Sequence, residues 1–263
     1  MTKLQWAVIA SAVVLFLTLY FTCDTKPRDI QALEKSRALA GESTDVTALL
    51  TEAKASLSPA QSSPVLALEA QLDKALEDSS RVEVLKQLSG QWYQLGVPAL
   101  AGYYAQQVAE ANGTEEAWSI AGTTYTICIQ NSQEPKVRDF CTGRAVQAFE
   151  NAISINPANL AHQVNLALAY TANPPQDNPM KGILMLRSLN QSNPDNVLIL
   201  NTLARLALKT GQFSRAVERL EHALSIEPDN TDSICLLAQA YEGAGETAKA
   251  AEFTEKCRSQ SDR

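Results

Sequence analysis

The chain has little with which to do chemistry. It holds two histidines, His162 and His222, and neither lies near paired cysteines in sequence. No Cys-x-x-Cys pair occurs, which removes the usual zinc-site spacings. No Gly-Lys-Ser/Thr follows a glycine-rich stretch, and Gly243-Ala244-Gly245-Glu246 reads as a turn rather than a phosphate loop. His162 opens a helix with no nucleophile or carboxylate pair nearby in sequence, while His222 sits beside Glu221 on an exposed helical face. No catalytic residue, metal ligand or cofactor is assigned. Basic runs are missing too. With a net charge of −7, nucleic acid is set aside, because phosphate binding requires clustered Lys and Arg.

What is present is helical material. The chain is 45% hydrophobic and only 19% charged, rich in Ala and Leu, which is the profile of a folded protein rather than a disordered one. From Leu4 to Thr22 there is no charge. Those 19 residues would span about 28 Å as a helix, close to the roughly 30 Å hydrocarbon thickness of a bilayer. Trp6 and Tyr20 stand near its ends, where amphipathic rings favour the headgroups. Residues 1–23 are therefore expected to be a transmembrane anchor. Two other readings remain: a cleaved signal peptide, which usually has a shorter apolar core and a small-x-small site, and lipid attachment at Cys23, although Tyr20, Phe21 and Thr22 precede it.

Residues 24–81 read as a juxtamembrane linker and a helical hairpin. Val46, Leu49, Leu50, Ala53 and Leu57 mark one helix, stopped by Pro59. Ser63-Pro64 then reads as a cap with proline in the first turn, opening a second helix with Val65, Leu68, Leu72 and Leu76. The pair is expected either to be a degenerate repeat or to cap an array.

From Val82 onward a pattern recurs. Val197 to Asn230 carries Leu200, Leu203, Ala204, Gly211, Ala216, Leu220, Ala223 and Pro228. A second copy begins at Thr231, with Ile234, Leu237, Ala238, Tyr241, Gly245 and Ala250. Upstream stands Trp118-x-x-Ala121-Gly122-x-x-Tyr125, with Ala145, Phe149, Ala152 and Pro157 in phase only if about eleven extra residues occupy the turn. The copy from Leu160 has Leu166, Ala167, Tyr170, Gly182, Leu186, Leu189 and Pro194, with three extra residues around Asn173-Pro174-Pro175. A weaker copy near Val82 has Leu85, Leu88, Ser89, Trp92, Gly96 and Ala101.

Over about Val82 to Cys257 the chain is similar to the tetratricopeptide repeat family, whose unit is a 34-residue helix–turn–helix. The resemblance implies an all-α fold: a right-handed superhelical stack of hairpins over residues 82–263, starting near 82, 115, 160, 197 and 231, after the anchor and the short hairpin. It also implies a concave groove lined by the first helices. Asn201, Arg205 and Lys209, at i, i+4 and i+8, would share one face of that groove. Val164, Leu168, Leu198 and Leu208 would make it partly apolar, suited to an amphipathic partner segment. The family's carboxylate clamp is not reproduced, since Val164 and Leu168 occupy its matching places.

Within the same scheme Cys128 ends one helix and Cys141 starts its antiparallel partner, while Cys235 and Cys257 stand near the start and end of the last hairpin. Two disulfides would place the array in an oxidising compartment; the alternative is that these cysteines serve as small buried apolar residues. Lys26, Arg28, Lys35 and Arg37 follow the apolar run, which alone would put the array in the cytoplasm. The cysteines favour the periplasmic side of a bacterial inner membrane. The expectation is a non-catalytic, membrane-anchored scaffold that resembles bacterial repeat proteins of envelope assembly. Without any cofactor, its groove would hold a protein or peptide from a membrane complex such as a translocon or assembly machinery. A self-associating structural subunit of a membrane complex is the alternative.

Overall fold

The computed structural model describes residues 46–261. The expected anchor, and the stretch from 24 to 45, lie outside the described residues. Among the described residues all regular elements are helices, and none is long and apolar enough to cross a membrane.

Two helices come first, α1 (Val46–Ser56) and α2 (Pro59–Lys74). Five hairpins follow: α3 (Asp78–Gln94) with α4 (Pro98–Asn112), α5 (Glu115–Asn131) with α6 (Pro135–Ile155), α7 (Leu160–Ala172) with α8 (Lys181–Ser192), α9 (Val197–Lys209) with α10 (Phe213–Ile226), and α11 (Thr231–Gly243) with α12 (Thr247–Ser261). The first hairpin opens at Asp78, ahead of Val82, because its exposed first turn (Asp78, Ser79, Ser80, Arg81) carries no apolar residue to announce it.

The junctions follow a local rule. Asn159, Asn196 and Asn230 each cap the next first helix, their side chains accepting from the backbone N–H of Ala161, Ile199 and Ser233. Each stands two residues after a proline that ends the run before it. Within hairpins the turn glycines Gly211 and Gly245 sit at φ 70° and 80°, a left-handed conformation that suits glycine. Packing between helices depends on small residues. A Cβ on Gly122 would stand 2.7 Å from the Phe149 ring, so only glycine lets α5 and α6 approach this closely.

Three features differ from the sequence-based expectations. Ser58 rather than Ser63 begins α2, its backbone N–H donating to Gln61 Oε1 at 3.1 Å, and Pro64 lies inside the helix. Pro64 and Ala60 are exposed, so water can serve the carbonyl that the proline leaves without a donor. Leu76 falls beyond the end of α2 and is almost fully exposed. Of the two readings left open for this pair, the packing fits the cap rather than a further repeat: α1 rests on α4 and α2 on α3, covering the first repeat with Leu49, Leu50, Val65 and Leu68.

The third difference concerns the insertion between Cys128 and Cys141. Only residues 132–134 separate α5 from α6; the extra residues lengthen the helices themselves, to 17 and 21 residues. Val137, Phe140 and Cys141 extend the apolar stripe of Ala145 and Phe149 at helical spacing, so these residues have a face to bury. The extension braces its neighbour. Arg138 Nη2 donates to the carbonyl of Ala172 at 2.8 Å, and Asn173 Nδ2 donates to Asp139 Oδ1 at 2.8 Å.

Candidate protein-binding groove

First helices form an inner row. α5 packs on α7, α7 on α9, and α9 on α11, in addition to the contacts within each hairpin. α3 is the exception: it reaches α5 chiefly through α4.

The polar stripe on α9 is divided by the packing. Asn201 is 5% exposed and already engaged: its Nδ2 donates to Asp232 Oδ2 at 3.2 Å, and its Oδ1 accepts from Ser233 Oγ at 2.8 Å. It fastens α9 to α11 and is not offered to a ligand. Arg205 is exposed and pairs with Asp232. Lys209 is exposed at the end of the helix. The apolar set divides likewise. Val164 is 1% exposed and belongs to the core between the third and fourth repeats, with Leu168 packed against that core. Leu208 packs on the core of the last two repeats. Leu198 alone of these four is open, at 45% exposure. Position on a first helix, read from sequence, does not separate the side facing the groove from the side facing the next repeat. For that reason Val164 and Asn201 have the spacing of groove residues and the burial of core ones.

The opening between α3 and α5 has no counterpart in the sequence reading. A cavity of about 420 Å³ lies there, lined by Lys86, Ser89 and Gly90 of α3, Val108 of α4, and Glu116 and Ile120 of α5, among others. Gly90 is the signal that could have revealed it. Glycine inside a helix costs about 1 kcal/mol relative to alanine, yet Gly90 has no positive φ, and a Cβ there would meet nothing within 4 Å. Neither backbone geometry nor close packing requires it.

His162 also differs from its sequence reading. It is buried, and its Nε2 lies 2.6 Å from Oε1 of Glu115, a carboxylate 47 residues away in sequence. The same carboxylate accepts from Asn159 Nδ2 at 2.6 Å and Asn156 Nδ2 at 2.9 Å. These donors hold the Glu115 carboxyl at about 2, well below its ordinary 4.5. The cluster ties the start of α5 to the α6–α7 turn. Among the described residues no group of three or more His, Cys, Asp or Glu could hold a metal ion.

The four cysteines of the array are joined in two pairs. Cys128 and Cys141 are bonded with Cα atoms 6.1 Å apart, both buried, and bridge α5 to α6. Cys235 and Cys257 are bonded with Cα atoms 4.9 Å apart, half-buried, and bridge α11 to α12.

These features define an array of helical hairpins with an inner row of first helices. A tetratricopeptide repeat family model matches residues 207–258, from the end of α9 to the last turns of α12, so the repeat is recognised in that region. A 91-residue stretch is 33% identical to cellulose synthase operon protein C of Pseudomonas fluorescens (strain SBW25), covering 35% of this chain and 7% of that protein. The match thus spans a small fraction of the relative's length. Similar solved structures include a tetratricopeptide repeat protein from Parabacteroides merdae, 16% identical over 76% of this chain and 73% of that one, with a TM-score of 0.49. A thermophilic TPR protein of Thermus thermophilus is 18% identical over 69% of this chain and 92% of that one, also at 0.49. YrrB, described as a TPR protein with an unusual peptide-binding site, is 14% identical over 74% and 92%, at 0.38.

Proposed function

We propose that this protein is a non-catalytic scaffold whose inner row of first helices holds a segment of a protein partner. The observation that carries this is the inner row itself. Its cores are filled from one repeat to the next, yet Tyr93, Ile120, Leu198, Arg205 and Lys209 remain exposed on the first helices. The second helices also expose Ile155, Leu184 and Ile226, but a segment lying along the inner row can bury Tyr93, Ile120 and Leu198 together with the charges of Arg205 and Lys209. The test is a photo-crosslinking amino acid placed in turn at Leu198, Lys209 and Tyr93, with Arg187 and Glu218 of the second helices as controls. The first three positions are expected to yield a common adduct in cells and the controls none. Equal yields from both sets would remove the groove from the reading.

We further infer that the array stands beside a membrane, outside the cytoplasm, tethered by the uncharged run Leu4–Thr22. Two bonded cysteine pairs support an oxidising compartment, and a tether would raise the local concentration of the groove around a membrane-bound partner, such as assembly or translocation machinery. Thiol labelling of intact cells checks this: the four repeat cysteines are expected to react only after reduction, and free labelling before it would rule the compartment out.

A further inference from the structure

We propose that the opening between α3 and α5 is the anchor pocket of the groove, and that it takes one large apolar side chain of a partner peptide flanked by an acidic and a basic residue. The inference rests on the groove reading above and specifies its recognition chemistry.

Three observations converge on this place. Among the described residues α5 touches α7, α7 touches α9 and α9 touches α11, whereas α3 meets α5 chiefly through α4 and leaves an opening there. The opening measures about 420 Å³, within the roughly 300–1,000 Å³ of ligand pockets. Gly90, on α3, is a helix-interior glycine that neither its backbone angle nor any neighbour demands. Any larger residue there would project into the opening. Its absent side chain is therefore what keeps the space available.

The lining says what fits. Val108, Ala117 and Ile120 supply apolar surface, and Ile120 is 54% exposed, a large aliphatic group left open to water at the mouth. Lys86 and Glu116 stand on opposite walls, from α3 and α5, and no ion pair joins them across the opening. Lys86 has only a loose contact with Glu83 at 3.9 Å. A peptide that buries an apolar side chain between them meets a cation on one wall and an anion on the other. Charge complementarity therefore favours an acidic neighbour on the Lys86 side and a basic one on the Glu116 side. A uniformly acidic or basic segment would gain on one wall and lose on the other.

The probe is a displayed library of random 12-residue peptides panned on the full chain. Enriched sequences are expected to share one Phe, Trp, Leu or Met between residues of opposite charge. Gly90→Leu is expected to weaken their binding at least tenfold while the melting temperature stays level or rises, because leucine favours helix over glycine. Gly90→Ala, smaller, should weaken binding less. Glu218→Ala, on the second helix α10 and away from the inner row, should leave it unchanged. Peptides that bind Gly90→Leu as tightly as the parent but fail on Lys209→Glu would overturn the pocket and leave the groove reading standing. Enrichment of no peptide would overturn the pocket and remove the groove's support from short segments as well.

Discussion

Glu115 is the first residue of α5, where the helix dipole already favours a carboxylate. Asn159, Asn156 and His162 then hold its pKa at about 2. A carboxyl depressed on folding contributes stability that is complete above its ordinary value of 4.5 and is lost as pH falls through about 2. Acidification across that window is therefore expected to loosen the joint between the second and third repeats. Glu115→Gln should melt lower than the parent at pH 7 and lose less on moving to pH 3; thermal unfolding at the two values checks both. An identical acid-induced drop in the two proteins would assign the loss to other groups. None of this was legible from the sequence. The three donors lie 41 to 47 residues from Glu115, and no local pattern links them. Asn201 shows the same limit: its spacing with Arg205 and Lys209 gave the helix, but only the position of Asp232 and Ser233 on α11 shows that its amide is consumed.

At the scale of elements, α12 is weakly held by apolar packing. Ala250 is its buried residue among those described, helped by Phe253 against Tyr241 at 5.6 Å. The Cys235–Cys257 bond closes this hairpin across a separation of 22 residues, and the loop-closure estimate for such a bond is roughly 3 kcal/mol. It is also the more accessible of the two, since Cys128 and Cys141 are 1% and 0% exposed. A mild thiol reductant is thus expected to cut Cys235–Cys257 first. Hydrogen exchange should then show α12 losing protection while α5 and α6 keep theirs; the reverse order would mean that burial does not govern access. Hairpin phase was readable because large residues must alternate with small ones wherever two helices touch, as Gly122 and Phe149 do. The lengthening of α5 and α6 was not. An insertion with apolar residues at helical spacing can extend a helix or sit in a turn, and the choice depends on the neighbour it braces, here Ala172 and Asn173. Pro64 is ambiguous for a related reason: a proline one turn inside an exposed helix start looks in sequence like the start itself.

Across the whole described array each hairpin meets its neighbours and little else, with α1 and α2 covering the first repeat. The number and class of repeats could be read directly, since the pattern returns with every unit. The surface proposed for binding could not, since it depends on how one unit sits on the next, and the α3–α5 opening exists because that seating differs there. Among the described residues both sulfur bridges close within single hairpins and none joins one hairpin to another. Under tension along the chain, hairpins are therefore free to peel apart one at a time, but two of them surrender less length than the rest. The stretch between Cys128 and Cys141, 13 residues apart, withholds about 45 Å of contour, and that between Cys235 and Cys257, 22 apart, about 75 Å. Such a molecule yields to a pull like a chain of springs in which two are tied short.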